Sequence, residues 1–312
     1  MTDREAHAVS KRKREIKLMM RSLFSGVAGL KAYQTGMDVI GNNIANVNTY
    51  GFKSSRTTYR DVYYQTVAGS SATNATSGIG GSNPTQLGYG ATAATVDVLN
   101  TRSGMATTGN PMDCYINGEG YFAVADGTVD TDGKPGGYLY TRVGSLGFDG
   151  EGYLVDGNKK IVCGSNVDGT SGELVPKPDT NGGITDPVAI KVADYNKYTN
   201  VTIGGDGKIT GELDGVVKTL GTIAMANVPN PNGLTQQGGS YYKAVSNTGT
   251  PTYYTPGSGA TGGLVTSALE SSNVDLANEF SQMIITERGF QANSKIITVS
   301  DEMLEDLVNL KR

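Results

Sequence analysis

The sequence has no tryptophan, a single histidine and two cysteines, and charged residues make up only 18% of its 312 positions. The histidine, His7, sits in a charged stretch near the start, so no Ser-His or Cys-His pair on a folded scaffold is available for nucleophilic catalysis. Cys114 and Cys163 have neither metal nor redox spacing, which leaves a bridge and two buried free thiols both open. The net charge is −4 and no basic stripe follows Lys31, so nucleic acid is not an expected partner. No window reaches the length of a membrane-spanning helix, and no membrane insertion is expected.

The motifs that resemble chemical sites fail on context. Gly118 to Ala123 fits a loose G-x-G-x-x-A pattern but leads into VADG rather than a helix, so it lacks the helix N-terminus that phosphate binding needs. Asp130 and Asp132-Gly133 have the local spacing of a calcium loop, yet Thr128 replaces the first acidic ligand and Leu139 stands where the bidentate Glu belongs. Asp149 and Glu151 are flanked by glycines and read as a turn. No catalytic, cofactor-binding or metal-ligating residue is expected, and the chain is not expected to be an enzyme.

What the chain does have is 44 glycines and 17 tyrosines, a usage that suits many short strands joined by tight turns. From Gly88 onward the text alternates in short runs punctuated by Asn110-Pro111, Asn117-Gly118 and further Gly turns, with a long loop expected at about 165 to 187. Ala68 to Ser82 is low-complexity Gly/Ser/Ala/Thr, and Tyr253 to Gly263 is a second irregular stretch. The expected divisions are 1–19, a basic tail or start extension; 20–66 with 264–312, a terminal helical domain; 67–90 and 240–263, connecting segments; and 91–239, a central β domain. Lys11 to Arg14 form the basic run, no signal-peptide apolar region or cleavage site follows it, and Met19 and Met20 are candidate starts.

The two ends read as helices. Leu23, Leu30, Met37 and Ile44 recur every seven residues, and Tyr33, Ile40 and Val47 supply the second seam position. Gly26 interrupts that seam, and Gly29, Gly36 and Gly41 each weaken an isolated helix by about 1 kcal/mol relative to Ala. This helix needs a partner. Leu276, Met283, Phe290, Ile297 and Leu304 keep the same interval at the far end, with Phe280, Ile284 and Val308 widening the stripe. The fold class expected is mainly β with long terminal α-helices that pair as a coiled coil around a central β-rich domain. The helices either pack only on each other or, being longer than the globular mean, also against other chains.

Three separated motifs then resemble one family. NNIANVNT at Asn42 to Thr49, carrying Asn42, Asn43, Ala45, Asn46, Asn48 and Thr49, is followed by Gly51, Phe52 and Lys53. TTGNPMDCYINGEGYF spans Thr107 to Phe122, and Ser272 to Leu276 (SNVDL) precedes RGFQANSK at Arg288 to Lys295. Together these resemble the bacterial flagellar rod and hook family from about residue 20 onward. The resemblance implies an axial structural protein without cofactor, exported through the flagellar type III apparatus to the cell exterior and polymerised into a helical tube. Its implied partners are further copies of itself, neighbouring rod, cap and hook-filament junction proteins, and the export apparatus. Within the family GIGGSNPTQLGYG and VPNPNGLTQQGGSYYKA look most like short hook proteins, which transmit motor torque; the distal rod protein is the alternative, and a ligand-binding β protein a more distant one.

Overall fold

The computed structural model describes residues 3–73, 80–130, 132–167 and 174–309, with side chains from Met20 onward except that of residue 307. The chain forms two compact units. Unit 1 gathers the first 45 residues, Ser55–Val98 and Asp275–Arg312; unit 2 gathers Asn46–Ser54 and Leu99–Val274. These boundaries differ from those expected. The segment 240–263, read as a connection, supplies Tyr241–Lys243 and Thr252–Tyr254 to a sheet of unit 2. Tyr241 packs in the apolar cluster with Phe122 and Ile223, and Tyr242 in the cluster with Tyr121 and Tyr140.

In unit 1, helix α1 runs Asp3–Ala45 and helix α2 runs Leu276–Asn309. The basic run Lys11 to Arg14 lies on the α1 backbone, and its side chains are outside the described residues. Asp275 starts α2 by accepting the N–H groups of Ala277 at 3.0 Å and Asn278 at 3.3 Å through Oδ1, an N-cap that satisfies otherwise orphaned donors. Strands β1 (Ser55–Asp61), β2 (Tyr64–Ala68), β3 (Thr85–Gly88) and β4 (Ala91–Val98) form two antiparallel pairs, β1 with β4 and β2 with β3. The low-complexity stretch expected as a flexible connection is thus flanked by a paired ladder; residues 74–79 of it lie outside the described residues.

Unit 2 holds a seven-stranded and a six-stranded sheet. The first is ordered Gly183–Ile184, Thr252–Tyr254, Met225–Asn227, Tyr121–Ala125, Tyr138–Thr141, Tyr241–Lys243, Thr235–Gly238. The second is built on the antiparallel hairpin of Lys208–Leu213 and Val216–Ile223, which pairs onward to Cys163–Val167. Period-two alternation explains the layering. Phe122 and Val124 point into an apolar cluster with Ile209, Ile223, Leu154 and Ile190, while Tyr121 on the other face joins Tyr140, Tyr242 and Val228. Cys114 and Cys163 are both buried free thiols, which resolves the cysteine question in favour of no bridge. The long loop expected near 165 to 187 contains the short strands Leu174–Val175 and Gly183–Ile184; residues 168–173 lie outside the described residues.

Candidate functional site: the helix pair and the motif segment

The helices of unit 1 pack antiparallel, as Ser22 meets Ser300, Gly26 meets Ile297, Gly29 meets Asn293, Gly36 meets Thr286 and Asn43 meets Glu279. The buried face of α1 is Gly26, Gly29, Ala32, Gly36, Ile40 and Asn43. This is a stripe of mostly small residues at helical spacing, beside the heptad seam expected. Of the expected seam residues Ile40 is buried, while Leu23, Leu30, Tyr33, Met37 and Ile44 are half-buried; Val47, expected in the seam, lies past the end of α1 in the turn that follows it. A Cβ at Gly29 would stand 2.9 Å from the Asn293 carboxamide and one at Gly289 would stand 2.6 Å from the Tyr33 ring, so the glycines permit close backbone approach. At Gly36 the space is taken by the Tyr59 hydroxyl, from β1. Gly41 meets nothing within 4 Å and has no such role.

On α2, Met283, Ile297 and Leu304 are half-buried, but Leu276, Phe280 and Phe290 are exposed. Phe24 (61%), Ile284 (58%) and Ile285 (65%) are more open still, and Val27, Ile296, Val299 and Met303 are also exposed. The helix pair thus buries glycines at its interface and displays phenylalanine and isoleucine outward.

The motif residues fall into both units. In unit 1, buried Asn43 forms a complete amide clamp: Ser55 N–H donates to its Oδ1 at 2.9 Å, while its Nδ2 donates to Ser55 O at 2.8 Å and to Glu279 Oε1 at 3.0 Å. Burial holds the Glu279 carboxyl above its usual range, with the Asn43 hydrogen bond working against that and Asp275 adding to it. Asn42 and Ala45 are exposed.

In unit 2, Asn46–Ser54 is a strap. Asn46 closes its first turn, accepting Thr49 N–H at 3.1 Å through its carbonyl and the Thr49 hydroxyl at 3.1 Å through Oδ1. Asn48 is exposed and Phe52 half-buried. Gly51 has φ +67 and sits against Arg142 and Val143, where a Cβ would lie about 3.0 Å from Val143, so its conformation and its space both call for glycine. Lys53 is 1% exposed. Its Nζ donates to Glu270 Oε1 at 2.6 Å and to Thr101 O at 2.8 Å. Arg142 Nη1 reaches Glu270 Oε2 at 3.4 Å, so two buried cations share one buried carboxylate, with exposed Glu119 3.9 Å from Arg142. Desolvation pulls the Lys53 ammonium below its ordinary pKa, opposed chiefly by Glu270.

Glu270, Arg142 and the small-residue stripe are the contributors that sequence reasoning missed, while Asn273 lies within the SNVDL motif. Nothing in the local pattern pairs Lys53 with a carboxylate 217 positions away. For the stripe a signal was present, since Gly26, Gly29 and Gly36 share one helical face with Ala32. Among the described residues no cluster of His, Cys, Asp and Glu suits a metal ion, and no helix is long and apolar enough to cross a membrane.

Comparison with known proteins places the features just described in order along one family plan. Residues 23–53 match the family model for flagella basal body rod protein, residues 115–211 that for the flagellar hook protein FlgE/F/G D1 domain, and residues 265–310 that for the flagellar basal body rod FlgEFG protein C-terminal region. The flagellar basal-body rod protein FlgG of Bacillus subtilis is 42% identical over 296 residues, covering 94% of this chain and 100% of the relative. FlgG of Buchnera aphidicola from Acyrthosiphon pisum is 33% identical with the same coverage. The flagellar hook protein FlgE of Borreliella burgdorferi is 29% identical over 444 positions, again covering 94% and 100%. The helix pair, the strap that follows α1 and the strands of unit 2 are therefore those of an axial flagellar structural protein, and the chain belongs to the bacterial flagellar rod and hook family.

Proposed function

We propose that this chain is a subunit of the distal rod of the flagellar basal body, polymerising with copies of itself into a helical tube. The observation that carries the reading is length. The rod relatives align end to end with about the number of residues present here, whereas the hook relatives span more positions than this chain has. The segments GIGGSNPTQLGYG and VPNPNGLTQQGGSYYKA look most like short hook proteins, but the higher identity to rod relatives supports the rod instead. The hook remains the second reading, supported by end-to-end coverage of hook relatives.

The outward apolar residues of α1 and α2 support assembly through the helices. Phe24, Phe280, Ile284, Ile285 and Phe290 would be covered by the helices of neighbouring copies, so burial withheld in the single chain is recovered in the tube. Rod, cap and junction proteins would adjoin the ends of such a tube, and delivery would run through the flagellar type III apparatus. Electron microscopy of basal bodies from a deletion strain tests the reading. The rod subunit predicts truncated rods with nothing assembled beyond them; complete rods lacking only the hook would overturn it in favour of the hook.

A further inference from the structure

We infer that the strap Asn46–Ser54 is a latch keyed by Glu270, detaching from the rest of unit 2 as one piece and ordering after it. Its fastenings are polar and converge on two short segments. Gly51 N–H donates to Glu270 O at 2.8 Å and Lys53 Nζ to Glu270 Oε1, so one residue receives both a backbone and a side-chain bond from the strap. Ser54 N–H donates to Asn273 Oδ1 at 2.7 Å, and Asn273 Nδ2 donates to Leu99 O at 2.8 Å and Thr101 Oγ1 at 3.0 Å. Leu99 N–H returns to Ser54 O at 2.8 Å.

The body does not depend on the strap for its core. Among the described residues, no side chain of the strap belongs to the three apolar clusters of unit 2. The strap does depend on the body. The Glu270 carbonyl and carboxylate are presented by Ala268–Glu270, a strand fixed by pairing with Met105–Thr107 and by Ser103 N–H donating to Glu270 Oε1 at 3.2 Å. Until that ladder has formed, Lys53 has no buried partner, and a buried ammonium without one is strongly disfavoured. The strap therefore closes last although it comes first in sequence. The charge arrangement makes Glu270 the key: it is the sole buried carboxylate facing Lys53 and Arg142 among the described residues, and Glu119 is 74% exposed. Without it, two cations face each other across the strap's seat.

Amide hydrogen exchange on the full chain tests this. In the wild type, the Gly51 and Ser54 amides should exchange faster than those of Phe122 and Ile223. Glu270→Gln should speed the strap amides by about tenfold or more, the scale of a lost charge-assisted hydrogen bond, and leave the body amides unchanged. Lys53→Met keeps Glu270 paired to Arg142 and decides the matter if Glu270→Gln does not fold. Strap and body amides slowing or speeding together in the variant that folds, or strap rates unmoved in it, would overturn the inference.

Discussion

The carboxamide of Asn293 lies against the bare Cα of Gly29, 2.9 Å from where a Cβ would stand, and its Nδ2 donates to Gly289 O at 2.9 Å. The side chain of one helix thus fills the notch left by a glycine of the other. Close packing of this kind needs small residues where a heptad seam would place large ones, and it leaves the large ones facing outward.

Glycines of the two helices should accordingly differ in their response to alanine, Gly41 lying on α1 and Gly289 on α2. Gly41→Ala meets open space on an exposed helical face and should gain up to about 1 kcal/mol from helix propensity alone. Gly289→Ala drives a methyl into the Tyr33 ring and should lose about 1–3 kcal/mol through overpacking. Thermal unfolding followed by circular dichroism reads both, and an equal response at the two sites would refute the packing argument.

Asn43→Ala should destabilise unit 1 by about 1–3 kcal/mol, because Ser55 N–H and C=O lose their partner while remaining part-buried. Urea denaturation gives the value. Asn43→Asp should be worse than alanine if Glu279 is ionised, since it sets a second carboxylate where the amide donated.

Ile40→Asp places unpaired charge on the buried α1 face, and Leu30→Asp adds a second charge at a half-buried position beside it. Flagellar assembly, scored by motility and microscopy, should be lost, while the core of unit 2, to which neither residue contributes, stays folded by tyrosine fluorescence. Normal assembly of this variant would sink the role given to the helix pair.

Alkaline pH should unfold unit 2 sooner than the acidic side of neutrality does. Burial pushes both Cys114 and Cys163 from an ordinary 9.0 up to about 12, Asp113 adding to the effect at Cys114. Groups raised in the folded state bind more protons there than in the unfolded chain, so stability is full below pH 9 and falls as pH rises toward 12. Each thiol contributes up to about 1.4 kcal/mol per pH unit in that window. Burial moves Tyr138 the same way, to about 12, and raises Tyr241, Tyr242 and Tyr253 as well. Denaturation midpoints measured from pH 8 to 11 should decline; a flat profile would contradict the burial of these groups.

The helical ends and the β-rich middle were legible because periodicity is local: seven-residue spacing marks α1 and α2, and Gly turns mark the strands. Which face of each helix meets the other was not, because Leu30 and Phe290 outrank Gly29 and Gly289 in any hydrophobicity count. Close approach rewards the absence of a side chain, which a pattern of apolar residues does not register. The motif end Gly51, Phe52 and Lys53 was legible as a family mark but not as structure. Lys53 acquires its meaning only when Ala268–Glu270 pairs with Met105–Thr107, a long-range event. Likewise Tyr241–Lys243 and Thr252–Tyr254 sat in text read as a connection because strands this short carry little signal of their own.

In the proposed tube, neighbouring copies cover the outward apolar face of the terminal helices. The native thiols are buried and carry little thiolate near neutral pH, so a cysteine introduced at Ile284, 58% exposed in the single chain, reports alone. Maleimide labelling of Ile284→Cys should be rapid in the isolated chain and strongly suppressed in purified basal bodies. Equal labelling in the two states would contradict the account.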